Sequence, residues 1–114
     1  MALQYNLSKV YEISENDNEF ALQIASLFLE EVPFEIQEMK SAIELKDYSQ
    51  TYASAHKIKP TLDLLGMDMA YEDVLLIIEW TREEGKRKEI KEVFRSLKTR
   101  IGAAADEIKK DFKL

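Results

Sequence analysis

The chain contains a single histidine, His56, and two lysines lie close to it in an otherwise acidic stretch. Lys57 and Lys59 are the only basic residues between Asp47 and Thr81 in the sequence. A nearby cation favours the neutral form of an imidazole, which is its nucleophilic form. The same cation stabilises an anion held on the ring nitrogen. The pattern therefore predicts a nucleophilic histidine that holds an anionic group, and phosphate is the obvious candidate.

Proline and neighbouring polar residues mark the helix face on which His56 is expected to lie. Residues three and four apart share one face of a helix, so Tyr52, Lys59 and Pro60 neighbour His56, with Asp63 two turns away. Pro60 has no N–H to donate to the His56 carbonyl, and its ring crowds that carbonyl. Proline inside a helix costs about 3 kcal/mol relative to alanine. We therefore expect the helix to bend where His56 projects.

Several classes of chemistry are excluded by what the sequence lacks. With no cysteine, the chain has no disulfide, thiolate zinc site or cysteine nucleophile. A formal net charge of −6 argues against a general nucleic-acid binder. A di-metal bundle needs Glu-x-x-His pairs, but Ala53 precedes His56 by three residues and there is no second histidine. Asp63 is about 10 Å from His56 along a helix axis, too far for direct acid–base pairing. The phosphate-binding loop and glycine-rich motif of nucleotide-using enzymes are absent, so we expect no binding or hydrolysis of ATP.

Length and patterning predict one soluble domain. The 114 residues suit a single core, so one domain is expected over residues 1–114. The first residues lack the basic and apolar regions of a signal peptide. No apolar run approaches the roughly 18 residues of a membrane span. We therefore expect a cytoplasmic protein with no membrane partner.

Composition predicts an all-α fold. Only three glycines and two prolines are present, so turns are few and elements are long. Ala, Glu, Lys, Leu and Arg together make up nearly half of the chain, and these side chains lose little rotamer freedom in a helix. The predicted helices cover residues 7–13, 17–46, 48–65, 69–84 and 86–112. Four long helices with short connections are expected to pack as an antiparallel up-down four-helix bundle, and the short extra N-terminal helix covers one end.

Capping residues set the predicted helix boundaries. Ser8 or Asn6 is expected to cap the first helix and Asn16 or Asp17 the second. Asp47 and Asp68 are the expected N-caps of the third and fourth helices, and Gly66 and Gly85 are expected to end them. The second helix keeps the phase of its apolar stripe across Pro33, which predicts a kinked helix rather than two helices.

The predicted core follows three- and four-residue spacing along each long helix. The second helix contributes Ala21, Ile24, Phe28, Val32, Ile36, Met39 and Ile43; the third Tyr48, Tyr52, Ala55, Leu62 and Leu65; the fourth Ala70, Val74, Ile77, Ile78 and Thr81; the fifth Ile90, Phe94, Leu97, Ile101, Ala104, Ile108 and Phe112. Trp80 and Tyr71 are expected to pack within the fourth helix.

Two segments of the sequence resemble the histidine-containing phosphotransfer (HPt) domain family. The family signature has a small residue, histidine, an apolar residue and lysine at the spacing of Ala55-His56-Lys57-Ile58-Lys59-Pro60, followed by Leu64-Leu65-Gly66. The upstream run Phe28-Leu29-Glu30-Glu31-Val32-Pro33, with Ile36, Met39, Ala42 and Asp47, is also similar. The resemblance covers about residues 7–78, and the fifth helix matches only in being amphipathic. Pro60 departs from the family, which usually has glycine at that position.

The resemblance implies a function and partners. His56 would be the phosphoacceptor, on Nε2 in this family, and Lys59 would contact the phosphoryl group, with Lys57 as secondary support. Tyr52, Pro60, Asp63 and Phe34 are expected to border the surface that receives the partner. The implied partners are response-regulator receiver domains and a hybrid sensor histidine kinase. Mg²⁺ would be held by the receiver alone, so the chain needs no cofactor or metal, acts as a phosphocarrier rather than an enzyme, and is expected to be monomeric.

An adaptor function is the alternative. A helical bundle of this kind could bind a signalling partner without carrying phosphate. The C-terminal part, residues 86–114, has 10 basic and 5 acidic side chains. Its Lys86-Arg87-Lys88 run could contact a phosphate backbone or an acidic partner, although a solvated helix face is the favoured interpretation.

Overall fold

The computed structural model describes residues 4–114, and every regular element in that range is an α-helix. The all-α prediction is confirmed. The helices are α1 (Ser8–Ser14), α2 (Asn18–Glu44), α3 (Tyr48–Leu64), α4 (Asp68–Glu83) and α5 (Arg87–Phe112). Each differs from its predicted range by at most two residues at either end, because strong apolar periodicity and few turn residues leave little freedom in where a helix begins.

Helix α2 begins at a side-chain cap and continues through its internal proline. The Asp17 carboxylate accepts hydrogen bonds from the backbone N–H groups of Glu19 and Phe20, at 2.9 and 3.3 Å. The predicted Asp17 cap is therefore confirmed. Val32 and Ile36, on either side of Pro33, are both buried. Their packing keeps one helix where proline alone would favour a break.

Helix α3, which carries His56, is bounded by residues that the sequence predicts. The Asp47 carboxylate accepts a hydrogen bond from the Gln50 N–H at 3.0 Å and caps the first turn. The helix continues through Pro60 and ends beside Gly66, whose φ of +62° lies in the left-handed region. A side chain at Gly66 would also collide with Asn6. Glycine is therefore favoured at this end of α3.

Two predicted caps are wrong. The N-cap of α4 is Met67, which is buried, and Asp68 is the first residue of the helix with no side-chain capping bond. Burial of Met67 fixes where the chain turns, and Asp68 instead places its charge near the positive end of the helix dipole. The N-cap of α1 is Leu7 rather than Ser8 or Asn6. The Asn6 side chain nevertheless accepts the Ser8 N–H at 3.2 Å.

The four long helices contact one another in a closed cycle around a common core. Helix α2 packs against α3 and α5, and α4 packs against the same two helices. Helix α1 packs against α2. The molecule is elongated, with extents of 43 × 23 × 20 Å.

Most predicted core residues lie in this interior. Phe28, Met39, Ala55, Leu62 and Leu97 are fully buried, and the predicted inward face of α4 is buried throughout. The prediction of a buried Tyr52 is wrong, since 39% of this residue is exposed.

Aromatic residues close the turn between α4 and α5 against α3. The Tyr48 and Trp80 ring centroids lie 5.0 Å apart. The Tyr48 hydroxyl donates to the Gly85 carbonyl at 2.8 Å, and the Trp80 indole N–H donates to the Lys86 carbonyl at 2.9 Å. Tyr48 is only half-buried because its hydroxyl reaches this turn, and Trp80 packs as predicted.

Across residues 4–114, each helix is either too short or too polar to traverse a bilayer.

Candidate functional site

His56 lies on the outer face of α3, near the middle of the helix. Its neighbours Ala55 and Ile58 are fully buried, which turns the opposite face of the helix, with His56, toward solvent. Within residues 4–114, neither ring nitrogen makes a hydrogen bond or an ion pair. His56 is exposed, and neither ring nitrogen is engaged by another described residue.

Tyr52 supports the imidazole from one turn earlier on α3. The two rings are stacked, with centroids 5.5 Å apart and planes inclined by 10°. Tyr52 is thus exposed beside His56 instead of buried, because positions four apart on α3 share the outer face. Stacking restricts the orientation of the imidazole without occupying its nitrogens.

Lys59 flanks His56 on the side of α4. It is half-buried, and its Nζ lies 5.9 Å from the centre of the Tyr71 ring. In the described part of the chain, no carboxylate lies within ion-pair distance of this ammonium. A cation held against an aromatic face keeps its full charge for an incoming anion.

Lys57 flanks His56 on the side of α2 and has a carboxylate partner. Its Nζ lies 3.1 Å from Oε2 of Glu35, a buried residue of α2. This hydrogen bond and the Glu35 charge raise the pKa of Lys57 above its usual value. The two lysines look equivalent in sequence but differ in the structure. Lys57 forms an ion pair with Glu35, whereas Lys59 has no ion-pair partner among residues 4–114.

Asp63, predicted to border the docking surface, is an exposed residue with an ion-pair partner. Its carboxylate lies 2.6 Å from the Nζ of Lys9, and this bond raises the pKa of Lys9 above its usual value. The pair connects α1 to the end of α3. Asp63 is therefore present on the surface as an ion-paired carboxylate, one turn beyond Pro60.

Pro60 and Phe34 are exposed apolar residues of α3 and α2. Pro60 is exposed one turn after His56. Tyr52, His56 and Pro60 form a row of exposed residues along α3, which we call the α3 ridge. Phe34 is 58% exposed on α2 and directly precedes Glu35. Both residues are thus accessible to a partner that approaches His56.

Glu35 and Lys9 are the residues that the sequence interpretation misses. Glu35 precedes Met39 by four residues and follows Phe28 by seven, so it falls on the apolar stripe of α2. A carboxylate on a buried stripe signals a charged partner, and this signal is present in the sequence. Nothing in the sequence identifies Lys9 as the partner of Asp63, because the two residues are brought together only by the packing of α1.

The site can act as a nucleophile with an adjacent unpaired cation. In residues 4–114, no group of three or more His, Asp or Glu side chains is arranged to hold a metal ion. Comparison with known protein families, with curated proteins and with solved structures found no match to this chain.

Proposed function

We propose that the chain is a phosphotransfer protein that carries a phosphoryl group on His56 between the aspartates of receiver domains. The observation that carries the proposal is the state of His56 itself. His56 is exposed in mid-helix, and among residues 4–114 nothing engages its ring nitrogens and no carboxylate pairs with Lys59, three residues further along α3.

The proposed reaction consists of two phosphoryl transfers. The unprotonated Nε2 of His56 attacks the phosphorus of a receiver aspartyl phosphate. The N–P bond forms as the P–O bond to the aspartate breaks, which leaves a free carboxylate on the receiver. A carboxylate of a second receiver then takes the phosphoryl group in the reverse sense, and His56 is restored.

The residues around His56 have separate roles in this proposal. The Lys59 ammonium compensates the charge of the phosphoryl oxygens, a task that depends on position more than on covalent chemistry. Tyr52 holds the imidazole plane so that Nε2 stays aligned. Lys57, which is paired with Glu35, adds a weaker field from the other side.

Receiver domains are the proposed partners, with a hybrid sensor kinase as the source of phosphate. The α3 ridge and Phe34 supply the apolar contact surface, and the Lys9–Asp63 pair lies at its edge. Mg²⁺ is proposed to be held by the receiver, as the resemblance to the HPt family implies. The chain itself is a phosphocarrier without ATP chemistry.

The overall arrangement proposed is that of the HPt family, an antiparallel up-down four-helix bundle. The closed cycle of contacts between α2, α3, α4 and α5 supports it. We further propose that the protein is a cytoplasmic monomer, as the resemblance implies.

Phosphoryl transfer from a labelled receiver tests the proposal. The chain is incubated with a radiolabelled phospho-receiver and Mg²⁺, and we expect the chain to take up label that is acid-labile and base-stable. His56→Gln is expected to abolish the label. Its helicity by circular dichroism should equal that of the wild type, because the side chain is exposed and makes no hydrogen bond.

Two outcomes would refute the assignment. Label that persists on folded His56→Gln would move the acceptor to another residue. A receiver that binds the wild-type chain without labelling it would favour the adaptor function instead.

A further inference from the structure

A second surface feature lies between α2 and α5, on helices other than the one that carries His56. It is an open groove with a volume of about 790 Å³, formed by the C-terminal part of α2 and the N-terminal half of α5. Ile43 and Phe94 form its apolar floor, and eight of its eleven lining residues are lysine or arginine. We call this the α2–α5 groove.

Within residues 4–114, most of these cations have no ion-pair partner. Arg87 donates to the Glu44 carbonyl at 3.2 Å, and Arg95 pairs with Glu92 at 3.3 Å. Over residues 4–114, the six lysines of the groove have no carboxylate within ion-pair distance: Lys40, Lys46, Lys86, Lys88, Lys91 and Lys98. Glu44 is the only acidic side chain in the lining.

The position of three of these cations adds to the excess of positive charge in the groove. Lys86, Arg87 and Lys88 lie at the N-terminus of α5, where the helix dipole is also positive. Cations at this end are unfavourable for the free protein and become favourable when an anion binds. This cluster occurs in a chain whose formal net charge is −6, so it is not a consequence of overall composition.

We propose that the α2–α5 groove binds an acidic amphipathic helix of a partner protein. The apolar floor fits the apolar face of such a helix, and the lysines along the rims fit its carboxylates. The α5 cations from Arg87 to Lys98 extend over about 16 Å, which matches about three turns of a bound helix.

The surrounding charge and shape disfavour other anionic partners. A nucleic acid is a long polyanion and would meet the acidic remainder of the chain, since residues 1–85 carry 17 acidic and 6 basic side chains. A lipid surface is matched by apolar side chains that project outward, whereas Ile43 is buried and Phe94 half-buried at the bottom of a groove. A short acidic helix fits both constraints.

A designed peptide provides the probe. It has about 18 residues, with leucines spaced three and four apart and glutamates elsewhere, and carries a fluorescein label. Binding to the full chain is followed by fluorescence anisotropy at near-physiological ionic strength. We expect saturable binding, and we expect the same peptide with glutamine in place of glutamate to bind at least about tenfold more weakly.

Paired charge reversals on one helix locate the site. Lys91→Glu/Lys98→Glu lies in the groove, and Lys109→Glu/Lys110→Glu makes the same charge change on exposed α5 residues outside it. The groove pair is expected to weaken binding by about tenfold or more, and the control pair by less than about twofold.

Three results would overturn the proposal. Equal weakening by the two pairs would show a non-specific charge effect. Equal affinity for the glutamine peptide would remove the role of the lysines. Tighter binding of duplex DNA, or of phosphatidylserine vesicles, would assign the groove to another class of ligand. None of these results bears on phosphoryl transfer to His56, so the two proposals fail independently.

Discussion

At the scale of single residues, the functional contrast lies between the two lysines beside His56. Lys57 and Lys59 are two residues apart, and in a helix that spacing sends them to opposite sides of the outer face. Lys57 reaches Glu35 of α2, whereas Lys59 lies over Tyr71 of α4. Within residues 4–114, Lys59 is therefore the one of these two lysines that has no carboxylate partner.

Alanine substitutions at the two positions are expected to separate the rate of phosphoryl transfer from the stability of the fold. Lys59→Ala should slow phosphoryl transfer by about tenfold or more, because a charge-assisted contact in the transition state is lost. It should reduce the free energy of unfolding by only about 0.5 kcal/mol, the value of a cation–π contact near the surface. Transfer kinetics and urea unfolding measure the two effects.

Lys57→Ala is the matched control for this prediction. It leaves the buried Glu35 carboxylate without its partner, so we expect a larger loss of stability than in Lys59→Ala and a smaller effect on transfer. Adding Glu35→Gln should restore part of that stability, because a neutral amide is less costly to bury than an unpaired carboxylate. The opposite order of effects would exchange the roles of the two lysines.

At the scale of elements, both internal prolines lie within continuous helices. Pro33 is in α2 and Pro60 is in α3, and each removes one helical hydrogen bond. Burial of the apolar faces of these helices outweighs the local cost. The two prolines differ in position: Pro60 lies one turn after His56 and frees its carbonyl, whereas Pro33 lies on another helix.

Replacing each proline by alanine tests whether Pro60 affects the site. Both Pro33→Ala and Pro60→Ala should raise the free energy of unfolding, by up to about 3 kcal/mol, because an N–H is restored and the ring clash is removed. Only Pro60→Ala is expected to change the rate of phosphoryl transfer, since it alters the backbone beneath the imidazole. Equal transfer rates in the two variants would make Pro60 incidental to function.

At the scale of the whole molecule, the chain ends are held together by polar contacts. The Tyr5 hydroxyl donates to the Asp111 carboxylate at 2.8 Å, and the Gln4 N–H donates to Glu107 at 2.9 Å. Burial, followed by the hydrogen bond to Asp111, raises the pKa of Tyr5 well above its usual value. These contacts attach the N-terminal segment to the end of α5.

The raised pKa predicts a loss of stability at alkaline pH. At a pH above about 10 the unfolded chain releases the Tyr5 proton while the folded protein retains it. The contribution of Tyr5 to the free energy of unfolding is therefore complete below a pH of about 10 and falls as the pH rises further. The slope that Tyr5 adds to the free energy of unfolding reaches about 1.4 kcal/mol per pH unit. Urea unfolding measured from pH 8 to 12 gives the profile, which Tyr5→Phe should flatten.

The comparison with Tyr5→Phe isolates this residue from other groups. The raised pKa values of Lys9 and Lys57 act in the same direction and are common to both proteins. At neutral pH the variant should be less stable by about 1 kcal/mol, the value of one hydrogen bond. Parallel profiles for the two proteins would show that Tyr5 does not titrate as proposed.

Local sequence information predicts the helices and most of the core. The bounds of α5 and the capping of α2 and α3 follow from residues within one or two turns, since periodicity and capping are properties of short segments. The predicted caps of α1 and α4 and the predicted burial of Tyr52 are wrong. Burial of Met67 makes it the N-cap of α4 in place of Asp68. Tyr52 lies on the outer face of α3, where its ring stacks on that of His56.

By itself the sequence determined that the protein is all-helical and where its helices begin and end within a few residues. It also singles out His56, because the chain contains one histidine. The tertiary structure alone decided which lysine is free and which cations share a groove. Glu35 meets Lys57, Lys9 meets Asp63, and Lys40 and Lys91 line one groove only because different helices pack together. Charge pairing depends on distances in space, and these are absent from the periodicity of any single helix.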